Sequence, residues 1–170
     1  MPALAVARAA ADAHLALITP RLAAWGWTWA WVDDVRLRVD ALGVRADGAT
    51  DPYVLELDVA TYDVEPPRVR FVLPDPFGQR PAASSAWWPA FEGSPPFQFA
   101  LHHVYPFDNS ARSDQLVCFS QSRDYYYSHH SPAPGEQWEQ GRHTLASSLS
   151  RLHEVLSPPY YRGPSGADLL

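Results

Sequence analysis

Cys118 is the only cysteine of the chain, set in an apolar run, Leu116-Val117-Cys118-Phe119. A Tyr-Asp-Val-Glu-Pro-Pro segment lies upstream of it, and a tryptophan leads into a helix downstream. One thiol forms no internal disulfide and one cysteine cannot build a thiolate zinc site, so the roles left are nucleophile or small buried hydrophobe. Packing is the commoner use, because free cysteine is among the most buried residue types.

The histidines offer a second chemistry. His102 and His103 are adjacent on a predicted strand, so their side chains point to opposite faces and are not expected to chelate one ion. His129-His130 falls in a predicted loop, where solvated polar residues are commoner than a metal pair. No metal and no cofactor is expected. A histidine from the strand, His102 or His103, is expected instead to tune the thiol or orient a loop, and His103 enters the candidate site on that ground. The Tyr125-Tyr126-Tyr127 run and the Trp87-Trp88 pair are read chiefly as covers that fasten long loops to the core, with exposed partner anchors as the other reading.

The elements that must position these groups follow from periodicity. Leu4 to Ala24 has helical composition, with Pro20 expected to kink or break it. From Val35 the pattern alternates: Val35, Leu37, Val39 and Ala41 face one way, and Arg36, Arg38 and Asp40 the other. Ala46-Asp47-Gly48-Ala49 supplies a turn, and Tyr53, Leu55, Leu57 and Val59 alternate with Glu56 and Asp58, which predicts a hairpin. Pro66-Pro67 removes ladder donors, and Val69 and Phe71 open a third strand. Residues 74–96, rich in Pro, Ala, Ser and Gly, read as an irregular insertion, and Phe97 to Val104 as the fourth strand. Leu145, Leu149, Leu152 and Leu156 recur at helical spacing between the start signals Gly141 and Thr144 and the stop Pro158-Pro159. The fold class expected is α+β, with an N-terminal helix, a four-stranded antiparallel meander, an active-site loop and a C-terminal helix, in one domain over residues 1–170 with insertions at about 74–96 and 120–137.

The size of the chain allows a substantial core without metals or disulfides. A net charge of −6 gives no general attraction for nucleic acid or an anionic membrane, so neither is expected as a partner. The N-terminus has no signal-peptide pattern, no apolar run approaches a bilayer span, and the unpaired cysteine suits a reducing compartment. A cytoplasmic location is expected.

The order of helix, meander, proline pair, cysteine, tryptophan and helix resembles the ubiquitin-conjugating (E2) family, in a divergent bacterial form. Tyr62-Asp63-Val64-Glu65-Pro66-Pro67-Arg68-Val69-Arg70-Phe71 is similar to that family's YPxxPPxVxF signature, and Leu116-Val117-Cys118-Phe119-Ser120 to its catalytic ICL segment. Asn109, nine residues before the cysteine, resembles the asparagine of the His-Pro-Asn motif, with Tyr105-Pro106 nearby. Trp138 with Gly141 to Leu156 resembles the W-x-P-x-x-T-L helix. Each piece is weak alone, and their order over about residues 35–163 supplies the specificity.

The resemblance implies a UBC-like fold and a transferase. Cys118 would take the C-terminal acyl group of a ubiquitin-like modifier from an E1-like activating enzyme as a thioester, and pass it to a nucleophile on a target protein. Asn109 would donate to the oxyanion or hold the loop, with a plain Asx turn as the other reading. Asp124 would assist the incoming amine. The candidate site is therefore Cys118, Asn109, Asp124 and His103. All thirteen basic residues are arginine, which a GC-rich genome explains, and which also spares a conjugating enzyme from modifying its own lysines. Bacterial members of the family often serve antiviral defence, so that setting is implied too. The histidine and proline of His-Pro-Asn have no counterpart, which keeps a catalytically inactive E2/RWD-like binding module as the alternative. A Cys-His hydrolase ranks third, since no helix is expected after Cys118 to lower the thiol pKa.

Overall fold

The computed structural model describes residues 4–107 and 113–164. Helix α1 (Leu4–Ala24) buries Ala7, Ala11, Leu15, Ile18 and Leu22, a stripe with the three- and four-residue steps of one helical face. Pro20 does not break it as expected. The missing N–H falls in the last turns, where Leu22, 1 % exposed, still packs into the core. The helix closes at Gly26, whose φ of +73° lets Trp27 N–H return to the Leu22 carbonyl at 2.8 Å.

Four antiparallel strands follow in sequence order: β1 (Thr28–Trp31), β2 (Arg36–Val44), β3 (Thr50–Asp58) and β4 (Arg68–Val72). The alternation of β2 is reproduced residue by residue, with Leu37, Val39 and Ala41 buried. These join Tyr53, Leu55, Leu57, Val69 and Phe71 in one core with the α1 stripe. On the other face the register sets opposite charges across the strands, Arg36 to Asp58, Arg38 to Glu56, Glu56 to Arg70 and Asp58 to Arg68.

The meander is thus four-stranded, but not with the expected members. β1 takes the place assigned to residues 97–104. That segment instead forms β6 (Ala100–Pro106), paired antiparallel with β7 (Ser113–Cys118) as a separate two-stranded sheet. β1 carries too little signal to be read from alternation, because it is four residues long and none of them is buried. The insertion 74–96 is also more ordered than expected. It contains β5 (Pro89–Phe91), paired with the terminal strand β8 (Tyr161–Pro164), and it buries Trp88 against Phe71.

After β7 a single-turn helix, α2 (Arg123–Tyr126), precedes the loop to α3 (Leu145–Val155). The start of α3 agrees with the sequence signals, and Ser147 Oγ accepts the Thr144 N–H at 3.0 Å. Its leucine stripe packs on the same face of the meander as α1. Tyr62 joins the two helices: its hydroxyl accepts the Leu145 N–H at 2.7 Å and meets His14 Nδ1 at 2.6 Å. No helix among the described residues is long and apolar enough to cross a membrane.

His153, on α3, stacks on Trp25 with ring centroids 3.9 Å apart and meets Trp27 edge-on. Burial lowers its pKa, because the imidazolium is the poorly solvated form there. The unfolded chain therefore binds more protons below about pH 6.5, and stability present above that value is lost as the pH falls toward the folded pKa. The urea midpoint should drop between about pH 7.5 and about pH 5, and His153→Phe should flatten that drop. An unchanged pH slope in the variant would remove His153 from the account.

Candidate active site

The hairpin β6–β7 is what positions the thiol. Ala100 pairs with Cys118, Leu101 with Val117 and His102 with Leu116, so Ala100, His102, Leu116 and Cys118 share one face. Val117 and Phe119 face the main core from the other side, while Leu116 and Cys118 pack in a second cluster with Phe107 and Tyr125. Cys118 therefore ends a strand, rather than sitting on the irregular active-site loop that was expected.

Two devices bolt this hairpin beside the meander. The buried Gln115 side chain acts as a strand partner for the edge of β4, accepting from Phe71 N–H at 2.8 Å and donating to the Phe71 carbonyl at 2.6 Å. Arg68 on β4 reaches Asp114 through Nη2 and Asp124 through Nε, both at 2.7 Å. Burial works against the Asp114 charge, yet the Gln115 N–H and the Arg68 guanidinium hold its pKa below the usual carboxylate value.

Cys118 is 4 % exposed, and it lies at the bottom of a groove of about 850 Å³. One wall is the segment 93–100, with Pro95, Phe97 and Phe99; the other is the loop carrying His129, His130 and Glu136. Burial pushes the thiol pKa up to about 11, so the sulfur is protonated at neutral pH. A ring nitrogen of His102, the Cys118 sulfur and a ring nitrogen of His130 lie within 4.8 Å of one another. Burial, and next the nearby His130, lower the pKa of His102, which keeps it neutral and able to accept a proton. Its Nε2 is buried and has no hydrogen-bond partner among the described residues. His130 Nδ1 lies 2.9 Å from Ser128 Oγ, and its ring stacks on Tyr125.

The other residues named from the sequence are placed differently. His103 points to the opposite face from His102, with its ring 4.4 Å from Trp88, and lines a separate cavity. His102 is the histidine that meets the thiol. Asp124 is buried and engaged by Arg68, and it is not among the residues lining the groove. Asn109 lies outside the described residues. The sequence considered His102 with His103 and His129 with His130, whereas the fold joins one member of each pair. No local signal carries that pairing, since residues 102, 118 and 130 meet only through the hairpin and the folding back of the loop.

The aromatic runs divide. Tyr125 is buried, donates to Gln98 Oε1 at 2.6 Å and stacks on the His130 ring, so α2 contacts both walls of the groove. The Tyr126 hydroxyl donates to the Ser120 carbonyl at 2.8 Å and accepts the Trp138 N–H at 2.7 Å. Tyr127 is exposed. The arrangement can present one sulfur to an extended chain lying in the groove, with a neutral imidazole within 4.8 Å of it. No family model matches the sequence, and no curated protein matches it.

Proposed function

We propose that the chain has a UBC-like fold and acts as an E2-like transferase, carrying a ubiquitin-like modifier as a thioester on Cys118. The observation that supports this reading is a lone thiol at the floor of an open groove, with His102 beside it, on a hairpin docked against a helix-backed meander. The groove suits the extended C-terminal tail of a modifier, whose acyl carbon must reach the sulfur. In the loading step the Cys118 sulfur attacks the carbonyl of the E1-like enzyme's thioester. A new C–S bond forms, the activating enzyme's sulfur leaves, and the Cys118 proton passes to a base such as His102. In the second step a target amine attacks, the C–S bond to Cys118 breaks, and the thiol is restored. Asn109 would stabilise the oxyanion in both, an effect worth about 3 kcal/mol where a donor is well placed.

Incubation with an E1-like enzyme, a ubiquitin-like protein and ATP should yield a reductant-sensitive adduct that Cys118→Ala abolishes. An adduct that survives Cys118→Ala would overturn the assignment. The near-complete burial of Cys118 favours one alternative, a non-catalytic E2/RWD-like binding module. Alkylation of the native protein decides between them: a thiol reached through the groove reacts without unfolding, whereas one that reacts only in denaturant favours the binding module.

A further inference from the structure

We infer that His102, Cys118 and His130 form a binding site for a soft divalent cation of the zinc class. Where a lone cysteine cannot build a thiolate zinc site, His102 and His130 complete the set: one thiolate and two imidazoles, donors that suit zinc and cobalt and disfavour magnesium and calcium. Their ligand atoms already lie within 4.8 Å of one another. A tetrahedral zinc ion, with Zn–S about 2.3 Å and Zn–N about 2.0–2.1 Å, holds its ligand atoms about 3.3–3.6 Å apart, so the triad needs to contract by about 1 Å or a little more. His130 can supply that movement, because it is exposed on the loop that forms one wall of the groove, whereas His102 and Cys118 are set by the hairpin register.

A second observation points the same way. His102 Nε2 is buried without a hydrogen-bond partner among the described residues, an arrangement that costs free energy and that a metal bound at this nitrogen would relieve. Three protein ligands leave a fourth position for solvent or for a group entering by the groove, as in zinc sites that keep an open position. On binding, the Cys118 S–H bond breaks, its proton goes to solvent and an S–metal bond forms; nothing is oxidised or reduced. The metal then holds the sulfur electrons that an acyl carbonyl would need, so metal and acyl group exclude each other at Cys118.

This inference does not rest on acyl transfer, and its test needs no partner protein. Cobalt(II) titrated into the reduced full chain should give a saturable near-ultraviolet sulfur-to-cobalt band and the visible bands of a tetrahedral ion, at one equivalent, with zinc displacing it. Cys118→Ser should abolish the near-ultraviolet band. His102→Ala and His130→Ala should each weaken binding by at least about tenfold, and His103→Gln, on the opposite face, should leave it unchanged. Circular dichroism on each variant separates lost ligation from lost folding, and His130→Ala, altered only on an exposed loop, keeps the test decisive if His102→Ala unfolds. Absence of the thiolate band in the native protein, or a band indifferent to both histidine substitutions, would overturn the site.

Discussion

An Arg68→Met variant is expected to lose about 3–5 kcal/mol of stability, the range seen when one partner of a buried ion pair is removed. Arg68 serves two carboxylates at once, and the Asp124 side chain is only 3 % exposed. Methionine fills much of the volume and takes the Arg68 guanidinium from both carboxylates, leaving Asp114 only the more distant Arg70 Nη1 at 3.7 Å. The charge then has a poor solvent, so the loss should shrink as the pH falls and the carboxyls protonate. The wild-type protein should show the opposite sign. The depressed pKa of Asp114 contributes stability above the unfolded value of about 3.9, and that stability is lost as the pH falls through the folded pKa. Chemical denaturation of both proteins at about pH 7 and about pH 3 reads the difference. Equal losses at the two pH values would show that packing, not charge, is what Arg68 provides.

The second large effect is expected at Gln115. In Gln115→Leu the Phe71 N–H and carbonyl both lose their side-chain partner inside the protein. Each buried unsatisfied group costs about 1–3 kcal/mol, so a loss of about 2–4 kcal/mol is expected, offset in part by the apolar area of leucine. For a domain of this size that corresponds to a fall in Tm of about 6–12 °C. The variant also releases the hairpin from the edge of β4. Cys118 should therefore react faster with a small alkylating reagent at temperatures well below the transition. A lower Tm with unchanged Cys118 reactivity would mean that Gln115 stabilises the sheet edge without positioning the thiol.

Both sites show why the groove was only partly legible beforehand. Arg68 and Asp114 are 46 positions apart, and Gln115 caps a strand edge 44 positions away. In the sequence Gln115 is the last of three polar residues, Ser113-Asp114-Gln115, ahead of the apolar run at Leu116, a place where polar residues are ordinarily assigned to solvent. It is buried because an amide carries one donor and one acceptor at the spacing of a peptide group, and so can stand in for a neighbouring strand. Asp124, expected to face an incoming amine, is drawn to Arg68 for a related reason: a buried carboxylate is tolerable where a guanidinium meets it.

What the sequence determined by itself was whatever depends on neighbours within a few positions. Period-two alternation set the faces of β2 and the core face of β3, whose other face is also buried at Val54 and Glu56; the leucine spacing marked α3, and Asp47-Gly48 placed the turn between strands. The uniqueness of Cys118 likewise needed no coordinates. Tertiary structure alone decided which strands share a sheet, which of two adjacent histidines meets the sulfur, and that His130 comes to join them. Alternation tells a strand which face to bury, but not which edge to pair with. Distant segments meet only where the burial of their side chains outweighs the entropy of closing the loop between them, and that balance belongs to the whole fold.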